Sequence, residues 1–183
     1  MRTLVALDLS YTATGIAVFY DGAFQADLSK TVSSTPKSGS HVERADLVLK
    51  AVLALVDTIT LSREQPKIFI EDYAFARMQN REAMGELGGI VKHGLWSAGL
   101  EVTTLPIATI RKTVTGKGNA DKTLVALSLL SKWGLLITQN DLADAAAVGI
   151  TGDYVMQYKE DNSVILRLPV DVKEALKGYL KNR

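Results

Sequence analysis

An acid set inside an apolar run is the feature that most limits how this chain can fold. Val5-Ala-Leu-Asp-Leu9 leads through Ser10–Thr14 into Gly15-Ile-Ala-Val-Phe19: an apolar run, a turn and a second apolar run. Asp8, between Leu7 and Leu9 at a strand end, is costly to bury unless something compensates its charge. A cationic side chain or a metal ion would each do so. The residues that converge on Asp8 must decide between them.

The remaining elements follow from apolar period and turn chemistry. Residues 3–9 read as a buried strand, and Gly15–Tyr20 as a second. Asp21-Gly22 is a hairpin signal that returns the chain as a third strand over Ala23–Thr31. Val32–Ser40 is small, polar and broken by Pro36, a loop. Ser40 with Glu43 forms a capping box for a helix to about Leu61. Lys67–Ile70 is a short strand that ends on Glu71-Asp72, a second acid at the end of an apolar strand. Residues 77–98 read as a helix despite Gly85, Gly88, Gly89 and Gly94, which imply close helix approach or a break. Glu101–Leu105 is an edge strand and Ile107–Thr113 a short helix. A glycine-lysine loop, Thr115–Lys122, follows, with Asn119 expected to cap a helix over 120–133. Asn140 is expected to cap another, to about Tyr158. The tail reads as a short strand, Val164–Leu168, and an amphipathic helix from 171.

This order implies an α/β fold: a five-stranded mixed sheet, three antiparallel strands then parallel ones, with helices on both faces. The chain has 183 residues and 47% apolar composition, enough for one well-filled domain. We read residues 1–158 as that domain and 159–183 as a C-terminal extension packed on it. The net charge is +1, so any nucleic-acid affinity must come from local basic surface. Cysteine is absent, which removes thiolate metal sites and cysteine nucleophiles and fits a reducing compartment. No run reaches ~18 apolar residues, so a soluble cytoplasmic protein with no membrane partner is expected.

Asp141 and Asp144, three apart, share a face in the first turn of a helix. Singly, each acid has an ordinary explanation. Together they do not: a sheet of this order sets strands one and four side by side, bringing Asp8 next to Glu71. A helix packed across the sheet can add Asp141 and Asp144. Four converging carboxylates need a cation, because like charges raise one another's pKa. Hard oxygen ligands suit Mg²⁺ or Mn²⁺, and two such ions can serve a phosphodiester displacement without a histidine base. His41 and His93 are accordingly read as surface or packing residues.

Asp8 with Thr14-Gly15, Ile70-Glu71, Gly116-Lys-Gly-Asn-Ala-Asp-Lys122 and Asp141-Leu-Ala-Asp144-Ala-Ala resemble the RuvC-type Holliday junction resolvases of the RNase H-like nuclease superfamily. The likeness covers about residues 3–157. It implies a Mg²⁺-dependent homodimer, with Mn²⁺ as a substitute and two ions per site, that nicks four-way DNA junctions symmetrically. The family's acids fall on Asp8, Glu71, Asp141 and Asp144, and its two lysines on Arg111 and Lys122. Leu9-Ser10 stands where the family has Pro-Gly, and Ala74, flanked by Tyr73 and Phe75, where it has an aromatic. These departures look more like the phage-encoded branch, in the cytoplasm of a bacterial or phage-infected cell.

Arg111, Lys112, Lys117, Asn119 and Lys122 are candidate DNA-phosphate contacts, and Tyr73 and Phe75 candidate base-stacking residues, with Phe75 expected to be buried. Asp121 before Lys122-Thr123 rules out a nucleotide phosphate loop, which needs glycine there, so no small-molecule cofactor is expected. Lys173, Lys177 and Lys181 form a solvated helix face. The glycine-rich helix 77–98 is the expected dimer contact. The alternatives are a related nuclease for other branched DNA or RNA, and a non-catalytic junction-binding scaffold.

Overall fold

The computed structural model describes residues 1–72 and 81–181. Strand β1 (Thr3–Asp8) pairs antiparallel with β2 (Ala13–Tyr20), setting Asp8 opposite Gly15. Asp21 and Gly22 both take positive φ (49° and 84°), the backbone that a tight two-residue hairpin requires. The single third strand expected over Ala23–Thr31 is instead two: β3 (Ala23–Phe24) and β4 (Lys30–Ser33), both on β2. Ser29 causes the break. Its N–H and hydroxyl both donate to the Gln25 carbonyl, and its Oγ accepts from the Val18 N–H at 2.9 Å, replacing a ladder bond.

Strand β5 (Lys67–Asp72) lies parallel to β1, with Leu7 beside Ile70, and the edge strand β6 (Val102–Pro106) lies parallel to β5. The sheet order is β3-β2-β1-β5-β6, six strands rather than five because β4 also pairs with β2. Strand alternation divides the core in two. Val5, Leu7, Ile16, Val18, Ile68 and Ile70 pack on one face against α1 (His41–Thr60) and α2 (Arg81–Ser97). Leu4, Ala6, Ala17, Phe19 and Phe69 face α3 (Ile107–Thr115), α4 (Lys122–Trp133), α5 (Asn140–Glu160) and α6 (Val170–Leu180).

The capping box at Ser40 and Glu43 forms as expected. In the 77–98 segment, Arg81–Ser97 is an unbroken helix. Gly94 accounts for one of its glycines: a Cβ there would stand 2.2 Å from the Leu49 side chain of α1. Residues 77–80 lie outside the described residues, as do Tyr73, Ala74 and Phe75, so the expected burial of Phe75 falls there too.

Three expectations are corrected. Asp121, not Asn119, caps α4, its Oδ1 accepting from the Leu124 N–H at 2.8 Å; an Asp two residues nearer the helix takes the same bond. Asn140 is the first residue of α5 rather than its cap, and the Gln139 side chain in the cap position does not bond the helix N–H groups but accepts from Thr31 Oγ1 at 2.8 Å. The Val164–Leu168 strand is a 3-10 turn over Asn162–Leu166, started by Asp161, whose side chain accepts from the Ser163 N–H and draws the backbone out of extension. The tail helix α6 does form. Val172, Leu176 and Tyr179 are buried in the α3–α5 core, while Lys177 and Lys181 face solvent.

Candidate active site

Asp8 ends β1 on the same side as Leu4 and Ala6, and Glu71 follows β5's Phe69 by two residues. Both acids therefore project towards α5. Gly15 then decides how near α5 can come. It pairs with Asp8 across the ladder, and a Cβ on it would stand 2.0 Å from the Asp141 carbonyl oxygen. Any larger residue would force the first turn of α5 off the sheet. Further along, Cβ atoms at Gly149 and Gly152 would stand 2.2 Å and 2.7 Å from the Phe19 and Phe69 rings, so the whole helix lies close. That closeness brings Asp141 and Asp144 to the strand ends.

The resulting cavity, about 310 Å³, is lined by Asp8, Glu71, Asp141 and Asp144 with Arg111 of α3 and Lys122 of α4. Ile107, Ile110 and Val125 form apolar wall, and Leu9 and Ser10 its edge. Larger hollows exist elsewhere, but among the described residues they bring together no comparable set of acids. Lys122 Nζ lies 2.7 Å from Asp144 Oδ2. Burial, then the charges of Glu71 and Asp144, hold the Asp8 carboxyl well above its usual range against the opposing pull of Lys122. Burial and Asp144 likewise push Glu71 up to about 7, with Arg111 and Lys122 opposing. Lys122 loses some of its charge preference to burial, but its bond to Asp144 leaves its pKa raised overall, so it stays an ammonium.

These directions report burial first and surplus negative charge second. Two cations face four acids, and repulsion persists at Asp8 and Glu71. The donor set is all carboxylate oxygen with neither thiolate nor imidazole, which suits a hard divalent cation. Among the described residues no three of these groups close to ligating spacing, and the charge nearest Asp144 is Lys122. The residues fit a divalent ion by chemistry and by uncompensated charge.

Of the expected DNA-contacting residues, Arg111 and Lys122 reach the cavity. Lys117 and Asn119 are exposed on the loop beside it. Lys112 turns to the tail, its Nζ 3.0 Å from Glu174 of α6. Ser10, noted in the sequence only as a departure from the family's turn, also lines the cavity, and its position two residues after Asp8 was the available signal. His41 stacks on Tyr11 with centroids 4.6 Å apart, and the half-exposed ring packs as expected of a residue outside the acid cluster.

A sequence profile of the family described as crossover junction endodeoxyribonuclease RuvC matches residues 4–152, the stretch that carries every acid of the cavity. This chain belongs to the RuvC family. Over 85 residues it is 33% identical to the crossover junction endodeoxyribonuclease RuvC of Synechococcus sp. (strain WH7803), covering 45% of this chain and 55% of that protein. The alignment thus spans about half the length of that RuvC. Thermus thermophilus RuvC superposes with a TM-score of 0.69 at 22% identity, covering 85% of this chain and 96% of the other. The same RuvC in complex with a Holliday junction substrate superposes at 0.67 and 20% identity, covering 86% and 96%. The fold is the RNase H-like mixed sheet of RuvC. The helix α6 lies beyond the RuvC profile. Among the described residues no helix is long and apolar enough to cross a membrane.

Proposed function

We propose that this RuvC-family chain is a structure-selective DNA endonuclease that resolves four-way junctions by paired symmetric nicks. The observation that carries the reading is the convergence of Asp8, Glu71, Asp141 and Asp144 on one cavity beside Arg111 and Lys122. The likeness to a resolvase structure that contains a junction supports the substrate.

The four carboxylates would hold Mg²⁺, with Mn²⁺ as a working substitute and two ions per site. Bound there, the ions supply Lewis-acid stabilisation of phosphoryl charge and a water acidic enough to attack at neutral pH. Lys122, 54% exposed, can exchange Asp144 for a strand phosphate, and Arg111 offers a planar guanidinium to the same group. Lys112, Lys117 and Asn119 would position the flanking backbone, and Tyr73 and Phe75 would stack on unpaired bases. Ile107, Ile110 and Val125 keep one wall of the cavity apolar, which strengthens electrostatic contacts inside it.

Paired nicks ask for a twofold enzyme, and α2 is the proposed contact between two copies. Cβ atoms at Gly85 and Gly89 would meet nothing within 4 Å, so these positions leave room for a second backbone. Residues 1–158 form the proposed nuclease unit and 159–183 its extension, acting in the cytoplasm of a bacterial or phage-infected cell.

The deciding experiment maps nicks on fixed and mobile four-way junctions in Mg²⁺, beside flaps, duplexes and RNA–DNA hybrids. Symmetric paired nicks on junctions alone are expected. Preferential cutting of hybrids or flaps would assign a different substrate, and junction binding without cutting would make the chain a scaffold.

A further inference from the structure

The turn after Asp8 contains no proline or glycine between Leu9 and Thr14, yet it must hold Asp8 against three other carboxylates. Its own hydroxyls staple part of it. Thr14 Oγ1 accepts from the Ser10 N–H at 3.1 Å and donates to the Ser10 carbonyl at 2.9 Å, and the Thr12 N–H donates to Ser10 Oγ. The rest of the support comes from outside. Arg44 of α1 donates from Nη2 to the Tyr11 carbonyl at 2.6 Å and from Nε to Ser34 Oγ at 2.9 Å. Ser34 Oγ donates to that same carbonyl, and the Ser34 N–H donates to the Thr12 carbonyl at 3.0 Å.

Arg44 is only 5% exposed, and among the described residues no carboxylate forms an ion pair with it. A buried guanidinium with no ion-pair partner is a costly way to fill a core. What it does have is a fork of donors that holds the Tyr11 carbonyl, three residues past Asp8, and the Ser34 hydroxyl beside it, with the Tyr11 ring 5.1 Å from the guanidinium.

We infer that Arg44 is a positioning residue, whose guanidinium clamps the Ser10–Thr12 turn through Tyr11 and Ser34 and thereby fixes the Asp8 carboxylate in the acid cluster. The inference deepens the proposed nuclease reading and rests on it for its consequence in catalysis. Outer groups that orient a metal-binding carboxylate are typically worth about 10–100-fold in affinity or rate.

The test compares the full-length parent with Arg44→Met, Arg44→Lys and Ser34→Ala. Three quantities are measured: Mn²⁺ affinity by calorimetry, amide exchange over residues 9–14, and kcat and KM on a fixed junction. For Arg44→Met, Mn²⁺ affinity and kcat should each fall roughly 10–100-fold with KM within about twofold, while exchange in the turn accelerates. Arg44→Lys keeps the charge but not the planar fork, so it should behave like Met. A folded Arg44→Met with parental Mn²⁺ affinity, kcat and turn exchange would overturn the inference, and so would full rescue by Lys. If Arg44→Met does not fold, Ser34→Ala decides. A loss of Mn²⁺ affinity of about 3–10-fold supports the clamp, and parental affinity refutes it. A parent that leaves junctions intact would sink the nuclease reading alone, since Mn²⁺ affinity and exchange still judge the clamp.

Discussion

At the scale of single residues, the acids of the cavity differ in what they do for the protein without metal. Glu71, pushed up to about 7, holds its proton more tightly folded than unfolded. Such a group costs nothing below its unfolded pKa and destabilises progressively as pH rises towards 7. Metal-free protein should therefore lose thermal stability between about pH 4.5 and 7, and Glu71→Gln should flatten that loss. At pH 8 without metal, Glu71→Gln is expected to raise Tm by roughly 4 °C, with no gain at pH 4.5. Calorimetric scans across that range in chelator check it, and saturating Mg²⁺ should restore the parent's stability at pH 8. Asp144→Asn should abolish cleavage while junction affinity in Ca²⁺ stays within a few-fold. Ordinary cleavage by that variant would remove Asp144 from the site. Because Asp144 also holds Lys122, the variant releases that ammonium for DNA and binding should not weaken.

At the scale of elements, the site depends on how closely α5 can lie against the sheet. Gly15→Ala places a methyl 2.0 Å from a backbone carbonyl that no rotamer can move. A loss of about 2–4 kcal/mol is expected by urea denaturation, with cleavage impaired even where the fold survives. Gly94→Ala also makes a close contact, but with the flexible end of Leu49, so it should cost less than Gly15→Ala in the same assay. The tail helix α6 also bears on the site, through α3. Its Leu176 is fully buried against α3, and Tyr179 donates from its hydroxyl to the Thr104 carbonyl at 3.3 Å. Lys112–Glu174 and Lys132–Asp171 tie it further to α3 and α4. Leu176→Ala should cost about 2–5 kcal/mol. Since α3 carries Arg111, part of that loss should appear as slower cleavage below the melting range.

At the scale of the whole molecule, a chain of net charge +1 binds a polyanion only by arranging its charges. Arg111 and Lys122 line the cavity and Lys117 is exposed on the loop that joins their helices, whereas Lys112 is held by Glu174. Junction affinity should fall steeply with salt. Lys117→Ala should lower the slope of log affinity against log salt by about one per contacting chain, and Lys112→Ala by less. Filter binding across salt concentrations would distinguish them. Sedimentation with and without junction should show two chains per junction.

Much of the molecule was legible before any coordinates. The strand acids, the i,i+3 pair on α5, the capping box and the hairpin turn are local or nearly local patterns, and period and spacing reveal them. The breaks came where a side chain competed with its own backbone, at Ser29 and at Asp161, because such bonds carry no periodic signature. Asn119 was expected as the cap, but Asp121, two residues nearer the helix, faces Leu124 and takes the bond. For the site, the sequence determined which residues carry the charge, and the acids were named from order alone. Only the tertiary structure decided how they meet: Gly15 admits α5 to the sheet, Lys122 lies against Asp144, and Arg44, some thirty residues away in the chain, grips the turn after Asp8. Contacts of that range are set by packing between elements, and packing is a property of the folded whole rather than of any window of sequence.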